Sequence, residues 1–335
     1  MLPNWAYRLL LFAAFLLHLS FAMLIDRSNT FAVLGSFAML WLVFLVQWAD
    51  QKMSVQKMVA VGMLLRLVYL LVFPELSDDF WRYLWDGMLV SGGMSPYEVL
   101  PIEWAEHGLS PSFGELLPMQ NSPEYYSIYP PVLQFFFGLS AKLANEDPLL
   151  FCIVLRSFVL VVELGSMVLI YKLLKVRKMN TRNLMLYALN PLVIVEFAGN
   201  LHGEVFMVFF LLLSLWFIQQ RTWFSAIAFG LSVGTKLLPL MFLPFYIKRL
   251  GWMRTMAYGA VVMVTVVVLY APFWSVQLVP NVLSSVRLYF ANFEFNGSVF
   301  LLLREVGFLY SGYNEIAIIG RILSMMVLAT IILIA

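Results

Sequence analysis

Apolar runs follow one another through almost the whole sequence, and each is continuous rather than alternating. The stretch 150–171 carries only Arg156 and Glu163 as charges, and 255–273 carries none. About 20 mostly apolar residues are what a helix needs to cross a bilayer's hydrocarbon. Only helices and closed barrels satisfy their own backbone there. Strands of a membrane barrel would alternate apolar and polar residues, and these runs do not. Charged residues make up 12% of the 335, about half the share of roughly 25% usual in soluble domains. That is too little to cover a water-soluble globule. A soluble enzyme, a nucleic-acid binder and a disordered chain are therefore excluded.

The segments 7–25, 31–48, 58–73, 150–171, 183–199, 204–219, 223–236, 237–247, 255–273, 298–310 and 314–335 read as transmembrane helices, about eleven in all. The expected fold is an all-α polytopic membrane protein forming one domain over 1–335. The first run is too long for a signal peptide and no small-residue cleavage site follows it. The chain stops inside an apolar segment, which reads as a C-terminal truncation. Cys152, the one cysteine, lies in an apolar run and reads as a packing residue.

Lys and Arg in short loops mark the cytoplasmic side. Lys172, Lys175, Arg177, Lys178 and Arg182 form the densest basic stretch, and Lys52, Lys57, Arg221, Lys248, Arg249 and Arg254 mark further cytoplasmic turns. Threading the segments through these marks places 74–148 outside the cytoplasm. That loop holds eleven acidic residues against Arg82 and Lys142, which agrees with the assignment. Within it, Pro130 and Pro131 launch an apolar stretch, 129–143, too short for a span; it reads as an in-plane or re-entrant helix.

The chemistry concentrates in SDDFWRYLWDGMLVSGGMSPY, from Ser77 to Tyr97. Ser77 is placed to cap a helix that begins at Asp78. Acidic residues suit its positive first turn. Asp78 or Asp79, Arg82 and Asp86 recur at helical spacing as an acid–Arg–acid ladder. Phe80, Trp81, Leu84, Trp85 and Met88 fall on the other face, predicting an amphipathic helix in the membrane interface. Two adjacent carboxylates suit a general base or a metal site, or simply a helix cap. A divalent metal finds no supporting ligand spacing, so no cofactor is assigned. Arg66, Arg156, Glu163 and Glu196 sit in apolar surroundings, where an interhelical ion pair is expected. Trp81, Trp104, Tyr125, Tyr126 and Tyr129 suit either sugar stacking or an interfacial aromatic belt.

The run DDFWRYLWDGMLVSGGMSPY, followed by Tyr129-Pro130-Pro131, resembles the polyprenyl-phosphate-sugar-dependent glycosyltransferases of the GT-C superfamily, in particular their mannosyltransferase-like multi-pass members. Downstream, Asn190-Pro191 with EFAGNLHGE (196–204) and GTKLLPLMFLP (234–244) resemble further segments of the same proteins. The resemblance covers roughly 77–254. It implies a helical bundle that holds a lipid-linked sugar donor at the outer leaflet and transfers the sugar, with inversion, to a lipid or glycan acceptor. The family's catalytic carboxylate falls on Asp78, or second on Asp79. Arg82 would orient the pair or touch the donor phosphate. Tyr83, Asp86 and Tyr129 fall among the substrate-binding positions. From their own positions at the edges of apolar runs, His202 and Glu204 suit contacts to sugar or acceptor hydroxyls, or a helix cap, and Lys236 and Arg287 suit the donor phosphate, or a snorkelling lysine and a solvated arginine. The chain departs from the pattern at Leu201, where glycine is frequent, and at Glu204, where Asp is usual. The acidic loop also follows the third apolar segment rather than the first.

A bacterial inner membrane, with the site facing outward, is expected from the lack of any retention or transit signal. A secondary transporter or lipid-sugar flippase is the alternative, as is a catalytically silent subunit of a glycan-assembly complex. No inverted repeat supports the transporter, and the acid gathers in one external loop.

Overall fold

A computed structural model describes residues 3–50, 53–106, 111–291 and 299–335. Among these there are seventeen α-helices and no strand. The chain is an all-α polytopic membrane protein.

Helices α1 (Asn4–Leu24) and α2 (Thr30–Ala49) form a hairpin, with Phe21 edge-on to Phe37 at 4.9 Å. Asn29 caps α2 by accepting from the Ala32 N–H. Next come α3 (Val55–Leu67), α4 (Asp79–Ser91), and the short α5 (Pro101–Glu106) and α6 (Pro111–Leu116). Helix α7 (Pro131–Ala144) leads into α8 (Pro148–Val176), whose N-terminus is capped by Asp147. A broken stretch contains α9 (Met185–Ala188), α10 (Pro191–Val193) and a π-helical stretch, Ile194–Gly199. Helices α11 (Glu204–Phe217) and α12 (Thr222–Val233) follow. Then come α13 (Ile247–Leu250), α14 (Trp252–Tyr270), α15 (Leu278–Ala291), α16 (Val299–Ser311) and α17 (Ile316–Ile334).

Every predicted apolar segment meets helical structure. Among the described residues, Asn4–Leu24, Thr30–Ala49, Pro148–Val176 and Trp252–Phe273 are single helices long and apolar enough to cross a membrane, and Pro191–Gly199 with Glu204–Phe217, bent by 115°, makes a broken fifth. Proline and polar breaks account for the difference from eleven. Pro239 and Pro244 lack the N–H an α-helix needs, and 238–246 winds as a 3₁₀ helix. Asn190-Pro191 interrupts the 183–199 segment, and the Asn190 side chain accepts from Leu192 and Val193 to start a new turn. Helix α7, at 14 residues, is about 21 Å long, short of the roughly 30 Å hydrocarbon thickness.

Helix α8 is the spine. Its face bearing Phe151, Cys152, Leu155, Arg156, Val159 and Glu163 is buried, against α7 and α11 on one side and α3 on another. Arg66 of α3 and Glu163 of α8 form the expected interhelical ion pair, both fully buried. Arg66 also donates to the carbonyls of Gly62 and Ala188, and the Tyr187 hydroxyl donates to Glu163 at 2.6 Å.

Helix α4 does not lie with one face in the interface: every residue from Arg82 to Leu89 is buried. Glycine at the α4–α7 crossing explains this. A Cβ on Gly87 would stand 2.5 Å from the Phe137 carbonyl oxygen, and one on Gly138 would stand 2.6 Å from Val90. The two backbones therefore approach closely, and the apolar face predicted for lipid packs instead against α7 and α8.

Candidate active site

Helix α4 begins one residue later than expected, at Asp79, with Asp78 in the N-cap position. Ser77 Oγ accepts from the Asp79 N–H at 3.3 Å. The two neighbouring carboxylates face different partners. Asp78 pairs with Arg27 of the α1–α2 turn at 2.6 Å. Asp79 accepts from Asn121 Nδ2 at 3.0 Å, and its charge reaches His202.

The acid–Arg–acid ladder is half formed. Arg82 Nε donates to Asp86 at 2.8 Å, and its Nη1 donates to the carbonyls of Ser122 and Tyr125. Asp86 is fully buried and accepts from Ser127 Oγ and from Gln134 Nε2. Arg82 and Asp86 thus fasten the loop after Gln120 and the start of α7 onto α4. Tyr83, also buried, stacks on Phe137 at 4.5 Å and meets Tyr129 edge-on at 4.9 Å. Tyr97 donates its hydroxyl hydrogen to the Tyr129 carbonyl. The DD…RY…D run and the Tyr-Pro-Pro run are two sides of one packed joint.

The first turn of α7 gathers the remaining motifs. Val132 N–H donates to the Gly234 carbonyl, bringing the GTKLLP turn alongside. Gly203 packs so closely on Leu133 that a Cβ would stand 2.6 Å from it, which brings in the His202 turn. That turn reverses the chain between the two bent halves. Asn200 Nδ2 and His202 Nδ1 lie 3.2 and 2.9 Å from Glu196 Oε2, and the His202 N–H donates to the Glu196 carbonyl. Lys236 donates to Glu204, which opens α11. A carboxylate there suits the positive end of the helix. Burial opposes a charge on His202. Its hydrogen bond to Glu196, with the carboxylates of Glu196, Glu204 and Asp79, outweighs burial and raises its pKa. Protonated imidazole is thereby favoured and is lost as pH rises through that raised value.

Leu201, at φ 60°, holds the reversal in the left-handed region, a conformation that costs a non-glycine residue about 1–3 kcal/mol. This is the position where the family resemblance favours glycine. Leu201 is also buried in the core around α4, α7 and α8, and deleting a buried leucine side chain costs about 2–5 kcal/mol. The lost packing exceeds the relieved strain. Leu201→Gly is therefore expected to lower thermal stability, as thermal unfolding in detergent will register.

His202 pairs with Glu196 and Lys236 with Glu204 around the one turn, while Asp78 and Asp79 open α4 with partners of their own, Arg27 and Asn121. Arg82, Tyr83, Asp86 and Tyr129 belong to the joint between α4 and α7. Arg287 is exposed on α15. That helix is pinned to the same loop region by Asn281 Nδ2, which donates to the Tyr97 carbonyl, and by Ser285 Oγ, which donates to the Tyr126 carbonyl. No group of three His, Cys, Asp or Glu side chains among the described residues is arranged to hold a metal ion. Arg27 and Asn121 escaped the sequence reading: Arg27 follows Asp26 in a short turn, and nothing local marks Arg27 or Asn121 as a partner of the later aspartates.

Residues 8–254 match the family model of the MptA_B family, described as alpha-(1->6)-mannopyranosyltransferase, N-terminal domain. The chain belongs to this mannosyltransferase family. It is accordingly a glycosyltransferase. No curated protein and no solved structure matches it. The matched region takes in the acidic loop, the bent pair and Lys236, so these segments of the candidate site all lie within the family domain.

Proposed function

We propose that this mannosyltransferase takes mannose from a polyprenyl-phosphate donor and adds it, in α-(1→6) linkage, to a hydroxyl of a glycan or lipid-linked acceptor outside the cytoplasm. One observation supports the reading: the first turn of α7 joins the GTKLLP turn and the His202 turn, through the Val132–Gly234 hydrogen bond and the Gly203–Leu133 contact, and packs on the helix that Asp79 opens. The supporting expectation for membrane side is the basic run 172–182. Helix α8, 29 residues long, carries the chain about 43 Å from the site's end to that run. Basic loops stay in the cytoplasm, which supports a site on the opposite, outer face; a bacterial inner membrane is the proposed location.

The chemistry follows from charge. The acceptor oxygen attacks the anomeric carbon while its proton passes to a carboxylate. The bond from that carbon to the phosphate oxygen breaks, and the polyprenyl phosphate leaves with both electrons. A single displacement inverts the anomeric centre, with one carboxylate serving the attacking hydroxyl. Asp79 is the better base of the pair, since Arg27 already occupies Asp78. Lys236, held by Glu204, and His202, held by Glu196, are assigned to the leaving phosphate, where fixed cations stabilise developing charge. Arg27 and Asp78 hold the turn beside it.

The decisive assay offers the purified protein, in lipid nanodiscs, an α-(1→6)-linked mannose dimer as acceptor. Donors are labelled polyprenyl-phosphate mannose or a nucleoside-diphosphate mannose. Label entering the acceptor from the lipid donor alone is the expected result. Transfer only from the nucleotide donor refutes the donor class. Movement of the lipid across the bilayer with no transfer to any acceptor would favour the flippase instead.

A further inference from the structure

We infer that Arg156 is a positioning residue for sugar transfer, setting the distance between the two halves of the active site. This rests on the reading that Asp79 and the His202 turn form that site. Arg156 lies in α8 and is fully buried. Its Nε donates to the Ala198 carbonyl at 2.6 Å and its Nη2 to the Gly199 carbonyl at 3.1 Å. Its Nη1 donates to the carbonyls of Leu70 and Val72, at 3.1 and 2.8 Å. One guanidinium therefore ties together two chain ends. The first is the turn that follows α3 and runs on to Asp78 and Asp79. The second is the end of the π-helical stretch that runs on to Asn200, Leu201 and His202. Carbonyls at helix ends lack intrahelical partners, and a planar fork of five donors can serve several at once.

Two features set this arginine apart from a routine buried charge. All four of its partners are neutral carbonyls, so its charge is not matched by a carboxylate as that of Arg66 is by Glu163. A buried cation held this way is costly, and a neutral donor would serve stability more cheaply. The location is the second feature. Arg66 makes a comparable tie further from the site, joining α3 to α8 through Glu163 and to the end of α9 through the Ala188 carbonyl. Arg156 repeats the fastening two helical turns away, where both segments turn toward the site. Gly199 packs face to face with Tyr69 there, a Cβ on it standing 3.3 Å from the ring, so the two segments are already in van der Waals contact. What the guanidinium adds is register between them. A misplacement of about 1 Å between reacting groups costs on the order of 10²-fold in rate.

The test compares Arg156→Met, Arg156→Lys and Asp79→Asn with the wild-type chain in nanodiscs, each corrected for folded fraction by size exclusion and thermal unfolding. Transfer from polyprenyl-phosphate mannose is followed as kcat and donor KM. Arg156→Met is expected to lose about 100-fold in kcat per folded molecule, with donor KM within about threefold. Arg156→Lys, whose ammonium reaches only some of the carbonyls, is expected to fall in between. Wild-type kcat per folded molecule in Arg156→Met overturns the inference. If the Met variant does not fold, wild-type kcat in Arg156→Lys overturns it. Full transfer by Asp79→Asn removes the site reading itself, whereas loss in Asp79→Asn beside wild-type kcat in the Arg156 variants removes the positioning role alone.

Discussion

Asp79→Asn should lower mannose transfer by about 10²–10⁴-fold, the range for loss of a general base, while donor binding stays within about threefold. The amide keeps the shape of the carboxylate and can still accept from Asn121, so the loop keeps its place. What disappears is the oxygen that takes the acceptor's proton. Asp78→Asn should behave differently. Its carboxylate serves a half-exposed pair with Arg27, and such pairs contribute about 0–1 kcal/mol. Its transfer rate should stay within about tenfold of wild type. Initial rates and direct binding of labelled donor separate the two carboxylates. An active Asp79→Asn beside an inactive Asp78→Asn would move the base to the first aspartate.

The largest stability effect is expected at the base of α3. Glu163→Leu leaves the Arg66 guanidinium fully buried with its charge unpaired. Breaking a buried pair by removing one partner costs about 3–5 kcal/mol. The double variant Arg66→Leu/Glu163→Leu removes both charges, and replacing a whole pair with apolar groups is often neutral or better. It should therefore recover most of the lost stability. Thermal unfolding of the two variants and the wild type in the same detergent measures this. Equal loss in the single and double variants would show that the carbonyl bonds of Arg66 matter more than its charge pairing.

Much of the site was legible as motif, but the roles within it were not. Asp79, His202, Glu204 and Lys236 stand out in the sequence as polar residues at the edges of apolar runs, and Glu204 and Lys236 form an ion pair. Arg82 and Asp86 stand out in the same way, yet both are spent on joining α4, the loop after Gln120 and α7. A motif records which residues a family needs and is silent on whether each touches substrate or holds a neighbour. The helix of 79–91 shows the same limit. Its spacing of Trp and Phe gives an amphipathic pattern that fits lipid or protein equally. Only Gly87 and Gly138, meeting across two helices, decide for protein.

The sequence by itself determined a membrane-embedded, all-helical chain, the end at which acid collects and the resemblance to mannosyltransferases. The first two follow from composition and local order, since the cost of exposing charge or backbone to lipid acts on each segment alone; the resemblance rests on short motifs that need no folding to be read. Tertiary structure alone decided which aspartate Arg27 occupies, that Leu201 sits in a left-handed turn, and that buried Arg156 binds carbonyls of both the turn after α3 and the end of the π-helical stretch. Those contacts join residues far apart in the chain, and no local pattern encodes a distance that forms only when the helices pack.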